Sequence, residues 1–343
     1  MKIAYEDLMG YLNLLKYGVS KNDVPFYANY IHSQGGKLLA CNDNVHVSLN
    51  VSLPFIGSIN FFTLDGFIKQ FKEGIFDFDT MDEKLVVTCT ENSKIKLNIM
   101  DMKLPEVILE RDSEDILVTE NLENQLKLAS KFTKSGADLY SYVYFGDGSI
   151  CGTDTQRVLH SQYETGNFKT LLDRNTCFFL KGGYTLYKSG ANLVVSFPNE
   201  LGFAVFTSSI NYIIDNFGIR KILSFVEKHR AKDKLCNVAY LVDAVKKVSP
   251  ILFRETEHNV LLENRGKRLE VKMESSLYGT ATTIIDSSLD RELDLIIDSI
   301  QLQHIPQEYN IFVPDIASLS LNYLYVTDDI TGTSIIFPHK ERS

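Results

Sequence analysis

The stretch Asn237-Val238-Ala239-Tyr240-Leu241-Val242-Asp243-Ala244-Val245-Lys246-Lys247-Val248 decides the fold because it is one of three. Val238, Leu241, Val242, Val245 and Val248 fall at the i, i+3, i+4, i+7 spacing that gathers apolar side chains on one helical face, and Asn237 precedes them as an N-cap. The pattern recurs at Leu8, Tyr11, Leu12 and Leu15. It recurs again at Leu122, Leu126 and Ala129, with Phe132 near the end and Asn121 in the cap position. Successive copies start roughly 115 residues apart, which marks an internal repeat.

Each helix is followed by two strand-like segments around a glycine-bearing turn. They are residues 26–33 and 37–51 around Gln34-Gly35-Gly36, 139–145 and 149–163 around Gly146-Asp147-Gly148, and 259–263 and 267–285 around Asn264-Arg265-Gly266. In the first repeat, residues 63–72 predict a second helix, followed by strands at 75–79, 84–90 and 94–100, the last alternating Ile95, Leu97 and Ile99. The counterpart in the second repeat is 181–188, short and broken by Gly182 and Gly183. In the third it is 298–305, ended by Pro306. Polar stretches at 110–121 and 228–234 then divide the chain into three α+β domains, 1–112, 113–226 and 227–343, each expected to pack two helices on antiparallel sheets.

With 343 residues, 44% apolar, 23% charged and only 8 prolines, the chain is expected to be a soluble globular protein without long linkers. The N-terminus Met1-Lys2-Ile3-Ala4-Tyr5-Glu6-Asp7 lacks the apolar core of a signal peptide, and no apolar run reaches the ~20 residues of a membrane span. A cytoplasmic location follows as the expectation. Cys41, Cys89, Cys151, Cys177 and Cys236 are scattered without a C-x-x-C pair and read as reduced, packed thiols. The net charge of −9 argues against a generally basic DNA-binding surface. The sum is not decisive, however, because positive charge can be confined to the one face that meets phosphate.

Enzyme signatures are missing from the sequence. His32, His46, His160, His229, His258, His304 and His339 stand singly, without the H-E-x-x-H spacing of a zinc site. Asp77 and Asp79 form a D-x-D pair without an evident third ligand, Lys181-Gly182-Gly183 lacks the rest of a phosphate loop, and no Gly-x-Ser-x-Gly elbow occurs. Neither a catalytic residue nor a cofactor or metal is expected.

Several local strings resemble the bacterial and phage β-type DNA sliding clamps, the processivity subunits of replicative polymerases. Gly152-Thr153-Asp154-Thr155-Gln156-Arg157-Val158-Leu159 is similar to their second-domain Thr-Asp segment, and Ala40-Cys41-Asn42-Asp43 takes the corresponding place in the first repeat. Leu104-Pro105-Glu106-Val107 resembles the string closing the first domain. Ser334-Ile335-Ile336-Phe337-Pro338-His339-Lys340 resembles the terminal strand. The resemblance covers nearly the whole chain, with repeat order and spacing carrying more weight than any one string.

What the resemblance implies is a head-to-tail homodimeric ring of six domains, with helices lining a hole that holds duplex DNA and sheets outside. DNA-facing candidates on those helices are Lys16, Lys69, Lys72, Lys127, Lys131, Lys134, Lys246 and Lys247. Flexible ammonium groups suit exchangeable, sequence-independent phosphate contact. It also implies a groove for peptide motifs of the polymerase and the clamp loader, at Thr153, Thr155, Gln156, Arg157, Val158, Lys247, Val248, Ile335, Ile336, Phe337, Pro338 and His339. The dimer contact would join Ile95 and Leu97 of one subunit to Ile284 and Ile285 of the other. The sequence departs from the family in His339 and in the added Glu341-Arg342-Ser343. The competing expectation is an all-β structural or protein-interaction component, such as a virion protein, which gives no reason for lysine-bearing helices at the head of every repeat.

Overall fold

The computed structural model describes residues 1–343 except 22–25, 91–92, 103, 105–106, 137, 208–210, 253–257, 315–322, 329 and 342–343. Pro105 and Glu106 of the first-domain closing string, and Arg342 and Ser343 of the tail, lie outside the described residues. The helices are α1 (Tyr5–Leu15), α2 (Phe61–Ile68), α3 (Glu120–Ser130), α4 (Arg174–Phe179), α5 (Ile219–Lys228) and α6 (Val238–Val248). Ahead of α3 run β1 (Lys2–Ala4), β2 (Tyr30–Gln34), β3 (Lys37–Cys41), β4 (Val45–Leu49), β5 (Gly57–Asn60), β6 (Ile75–Met81), β7 (Lys84–Cys89), β8 (Lys94–Asn98) and β9 (Ile116–Leu117). Between α3 and α6 run β10 (Val143–Gly146), β11 (Ser149–Thr153), β12 (Val158–Gln162), β13 (Lys169–Leu172), β14 (Thr185–Ser189), β15 (Asn192–Ser196), β16 (Gly202–Phe206) and β17 (Asp233–Asn237). After α6 come β18 (Asn259–Arg265), β19 (Arg268–Ser275), β20 (Gly279–Asp286), β21 (Leu293–Asp298), β22 (Asn310–Val313), β23 (Tyr323–Thr327), β24 (Ser334–Pro338) and β25 (Lys340–Glu341).

The three anticipated helices form, each by burying its periodic face. α1 buries Leu8, Leu12 and Leu15, α3 buries Leu122, Leu126 and Ala129, and α6 buries Val238, Leu241, Ala244 and Val248. Each large side chain so buried contributes about 1.5–3 kcal/mol, which these short helices need because their own propensity is marginal. Asn237 caps α6, accepting a hydrogen bond from the Ala239 N–H at 2.8 Å. Asn121, expected as the cap of α3, instead lies inside that helix and accepts a hydrogen bond from Gln125 Nε2 at 3.4 Å. The turns also form. Gly35-Gly36 and Asp147-Gly148 each place two consecutive residues at positive φ between paired strands, the geometry that matches strand twist in a two-residue hairpin.

The chain divides into two compact units, Met1–Glu120 with Leu180–Tyr212 and Asn121–Phe179 with Ile213–Ser343. Unit 1 contains a four-stranded sheet, β1-β6-β7-β8, and an eight-stranded sheet, β5-β2-β3-β4-β16-β15-β14-β9. Unit 2 contains an eight-stranded sheet, β13-β10-β11-β12-β24-β23-β22-β17, and a five-stranded sheet, β20-β19-β18-β21-β25. The eight-stranded sheets repeat one plan strand for strand. In each, four strands following one repeat's helix join strands from the next repeat, through His46↔Val205 on β4–β16 and Val158↔Ile336 on β12–β24. The compact units therefore cut across the sequence repeats. Named strand pairings are antiparallel, and the fold class is α+β as expected.

Close helix–sheet approach is achieved with small residues. A Cβ on Gly18, just after α1, would strike the Ala40 carbonyl of β3, and a Cβ on Gly152 of β11 would strike the Ala129 carbonyl of α3. The glycine sits on the helix side in unit 1 and on the strand side in unit 2.

Three expectations need correction. Residues 181–188 do not hold the second helix of the second repeat: α4 precedes them, started by Asp173, which accepts from the Thr176 N–H at 2.8 Å, and β14 takes the later part. Residues 298–305 form only a 3-10 turn at Ser299–Leu302, because Asp298 accepts from the Ile300 N–H at 3.0 Å and His304 has φ +72. The long segments at 37–51, 149–163 and 267–285 are each two antiparallel strands, β3 with β4, β11 with β12 and β19 with β20, the last pair folded back where Ser275 Oγ accepts from the Leu277 and Tyr278 N–H groups. α5 was not anticipated.

Candidate functional site

The lysines divide by partner. Lys69 pairs with Asp65 at 2.7 Å, Lys134 with Asp138 at 2.9 Å, Lys246 with Asp243 at 3.8 Å, and Lys127 with Glu123 one helical turn away. Lys16, Lys72, Lys131 and Lys247 have no ion pair among the described residues. Of the eight, Lys127 and Lys131 are half-buried and the others exposed. An exposed ion pair is worth about 0–1 kcal/mol, so the ammonium groups of Lys134 and Lys246 can exchange a carboxylate for another anion at little cost.

The 153–158 segment is a tight, self-bonded turn. Asp154 Oδ1 accepts from the Gln156 N–H at 3.0 Å and the Arg157 N–H at 2.6 Å, while Asp154 Oδ2 accepts from Arg157 Nε at 2.8 Å. Thr153 donates its hydroxyl to the Arg157 carbonyl at 2.8 Å and accepts from the Thr155 N–H at 3.1 Å, with Thr155 at φ +76. The Arg157 guanidinium lies 5.1 Å from the Phe132 ring centre. Asn42 builds the matching turn in the first repeat, accepting from the Asn44 N–H at 2.9 Å and the Val45 N–H at 2.8 Å.

Beside this turn unit 2 has a cavity of about 400 Å³. It brings together four of the anticipated groove residues, Thr155, Gln156, Pro338 and His339, and adds Asn259, Ile296, Asp298, Gln301, Tyr323 and Lys340. Thr153, Arg157, Val158, Lys247, Val248, Ile335, Ile336 and Phe337 do not line it. Ile335, Ile336 and Phe337 are fully buried strand core, and Lys247 is exposed on α6. The added residues come from β18, β21, β23 and β25 and from the 3-10 turn Ser299–Leu302, where no local motif marks them. Only the register of the folded sheets assembles them.

A cationic cluster adjoins the turn. Lys131, Arg157 and Arg174 act together on His304, whose pKa is lowered first by burial and then by these three charges. Of these three cations, Arg157 is already paired with Asp154 at 2.8 Å.

The Asp77 and Asp79 carboxylates have separate local partners. Asp77 accepts from the Met1 ammonium at 3.1 Å, and Asp79 accepts from the Thr80 N–H at 2.8 Å. Among the described residues no group of three or more His, Cys, Asp or Glu side chains is arranged to hold a metal ion. All five cysteines are free and buried, and burial pushes the Cys41 thiol up to about 11 and the Cys236 thiol up to about 12. Among the described residues no helix is long and apolar enough to cross a membrane.

The Ile95 and Leu97 positions lie on β8 and the Ile284 and Ile285 positions on β20, both edge strands of their sheets. Leu97 is buried, Ile95 and Ile285 are half-buried, and Ile284 is 59% exposed.

No protein-family model and no curated protein sequence matches the chain. Solved structures match over its whole length. The DNA polymerase III β subunit of Thermotoga maritima is 14% identical, with full coverage of both chains and a TM-score of 0.75. The Helicobacter pylori β clamp is 16% identical, with full coverage of both and a TM-score of 0.73. The Pseudomonas aeruginosa DNA polymerase III β subunit is 13% identical, again with full coverage of both, at 0.72. The chain has the fold of the bacterial β sliding clamps from end to end.

Proposed function

We propose that this chain is a sliding clamp, a non-catalytic processivity factor that encircles duplex DNA and tethers a replicative polymerase. The observation that carries this reading is the repeated plan of the two eight-stranded sheets, within a fold that matches β clamps over the full length. In this reading the chain comprises three clamp domains, 1–112, 113–226 and 227–343. Two copies close head to tail through the β8 edge of one and the β20 edge of the other, with Ile95 and Leu97 meeting Ile284 and Ile285. Exposed Lys94 and Lys96 on β8 and Asp286 on β20 supply charges of opposite sign for that contact.

The duplex would be met by Lys16, Lys69, Lys72, Lys127, Lys131, Lys134, Lys246 and Lys247. The unit 2 cavity would receive apolar peptide motifs of the polymerase and the clamp loader, and the Lys131–Arg157–Arg174 cluster suits motifs that also carry a carboxylate. Ile335, Ile336 and Phe337, buried in the strand core, would support that cavity rather than touch its occupant. Such a protein works in the cytoplasm, without a cofactor and without a membrane.

Sedimentation combined with DNA retention tests the reading. A particle of twice 38.9 kDa that stays on nicked circular DNA after a salt wash and runs off linear DNA is expected. A monomer, a filament, or equal loss from both DNA forms would overturn it.

A further inference from the structure

The two eight-stranded sheets are equivalent in plan but not in what covers them. In unit 2 the row Tyr144↔Cys151↔His160 crosses β10, β11 and β12, and in unit 1 the row His32↔Leu39↔Ser48 crosses the equivalent β2, β3 and β4. His32 therefore holds the place of Tyr144. The Tyr144 ring is covered by Phe217, with centroids 5.2 Å apart and planes 28° apart, and Phe217 is fully buried. Among the described residues no ring stacks on His32. A cavity of about 750 Å³ lies there instead, lined by His32, His46, Phe203 and Val107, with Ile56 and Ile108 among its residues and 83% and 80% exposed.

The polar chemistry of this cavity is unfinished. His32 is 3% exposed, and its Nδ1 lies 2.5 Å from Ser58 Oγ, but its Nε2 has no hydrogen-bond partner. His46 Nδ1 also lacks one. Leaving a buried polar atom unpaired is costly, and a ligand that brings a hydrogen bond recovers that cost. Burial lowers the His32 pKa to about 4, the Tyr27 main chain opposing and His46 adding to the shift, so both rings offer neutral nitrogens. Lys37 and Asp101 belong to the same lining. The two neutral imidazoles offer hydrogen bonds rather than charge, and an uncharged ring takes those up without the cost of stripping the hydration from an ion. A volume of 750 Å³ falls within the ~300–1,000 Å³ of ligand pockets and exceeds one ring.

We propose that the unit 1 cavity is a receptor for a neutral, hydrogen-bonding aromatic side chain, indole or phenol, presented by a partner polypeptide and lying over His32 as Phe217 lies over Tyr144. The partner's flanking apolar residues cover Ile56 and Ile108. This cavity shares no residue with the unit 2 cavity assigned to polymerase motifs.

The chain contains no tryptophan, so the emission of an indole probe is seen alone. N-acetyl-tryptophanamide titrated with the full-length protein should show a saturable blue shift and a rise in anisotropy. Its affinity should fall at least fivefold in the Ile56→Ser/Ile108→Ser double variant, whose exposed positions leave folding intact, and stay unchanged in Gln156→Ala. A capped Leu-Trp-Leu tripeptide should bind more tightly than the single residue. Absence of a saturable shift, insensitivity to the double variant, or loss in Gln156→Ala would overturn the pocket. Equal affinity for the tripeptide and the single residue would overturn the polypeptide partner.

Discussion

At the scale of single residues, the chain stores its polar strain in histidines. His32, His46 and His160 all have pKa values lowered chiefly by burial, His32 to about 4. A histidine whose folded pKa is depressed lends stability above its unfolded value near 6.5, and that stability is lost as pH falls toward the folded pKa. Chemical denaturation should therefore show stability declining between pH 6.5 and about 4, with His32 contributing up to about 3 kcal/mol. His32→Phe should flatten this decline; an unchanged slope would mean that the ring titrates alike in both states. Asp154 is a second such point, since one carboxylate holds two backbone N–H groups and a guanidinium. Asp154→Ala should cost about 1–3 kcal/mol and speed hydrogen exchange at Gln156 and Arg157. The Thr153-Asp154 string stood out in the sequence only through its resemblance to the clamps' second-domain segment, and the turn it forms is local, held by bonds within residues 153–157. The partners of Thr155 and Gln156 around the cavity were not legible, because Asn259, Ile296 and Tyr323 reach it only through sheet register.

At the scale of elements, the helices and hairpins were readable because both depend on neighbours in sequence. Helical spacing placed Leu8, Leu122 and Val238 inward, and glycine turns set the hairpins. α5 has the same periodicity at Ile219, Ile222, Leu223 and Val226, yet among the described residues it has no counterpart in the other repeats, so a reading built on repetition passes over it. Small-residue contacts were hidden for another reason: nothing near Gly152 in sequence reveals that Ala129 of α3 lies against it. Gly152→Ala forces that helix off the sheet and should destabilise by about 2–3 kcal/mol in urea unfolding. Serine at Gly10, where a Cβ meets nothing within 4 Å, should cost well under that, and equal losses would refute the contact. α3 and the turn after it also carry Lys127, Lys131 and Lys134, two of them paired with acids on the next turn. If this element faces phosphate, exchanging all three lysines for glutamate should abolish retention on circular DNA with little change in melting temperature; unaffected retention would remove it from the DNA path.

At the scale of the whole molecule, the proposed DNA contact is compatible with the acidity only if charge is sorted by place. In the proposed ring a net charge of −9 would keep most of the surface repellent to DNA, with the eight lysines on and beside α1, α2, α3 and α6 as the exception. The pairing of distant strands such as β4 with β16 had no trace in the local pattern, so the sequence alone yielded repeats without showing how they exchange halves. The same logic leaves β8 and β20 as edges, which a protein must cover or blunt. Ile284 stands 59% exposed on β20, an apolar side chain on an open edge. In the proposed ring it is buried twice, once at each of two equivalent contacts. Ile284→Lys removes about 1.5–3 kcal/mol of burial per contact and sets a cation against Lys94 and Lys96, so the dimer constant should weaken at least a hundredfold. Because the side chain is exposed within one chain, the melting temperature of the monomer should hold. Sedimentation at micromolar concentration should then show a particle of 38.9 kDa that no longer stays on circular DNA. A variant that remains dimeric would place the ring contact on some edge other than β20.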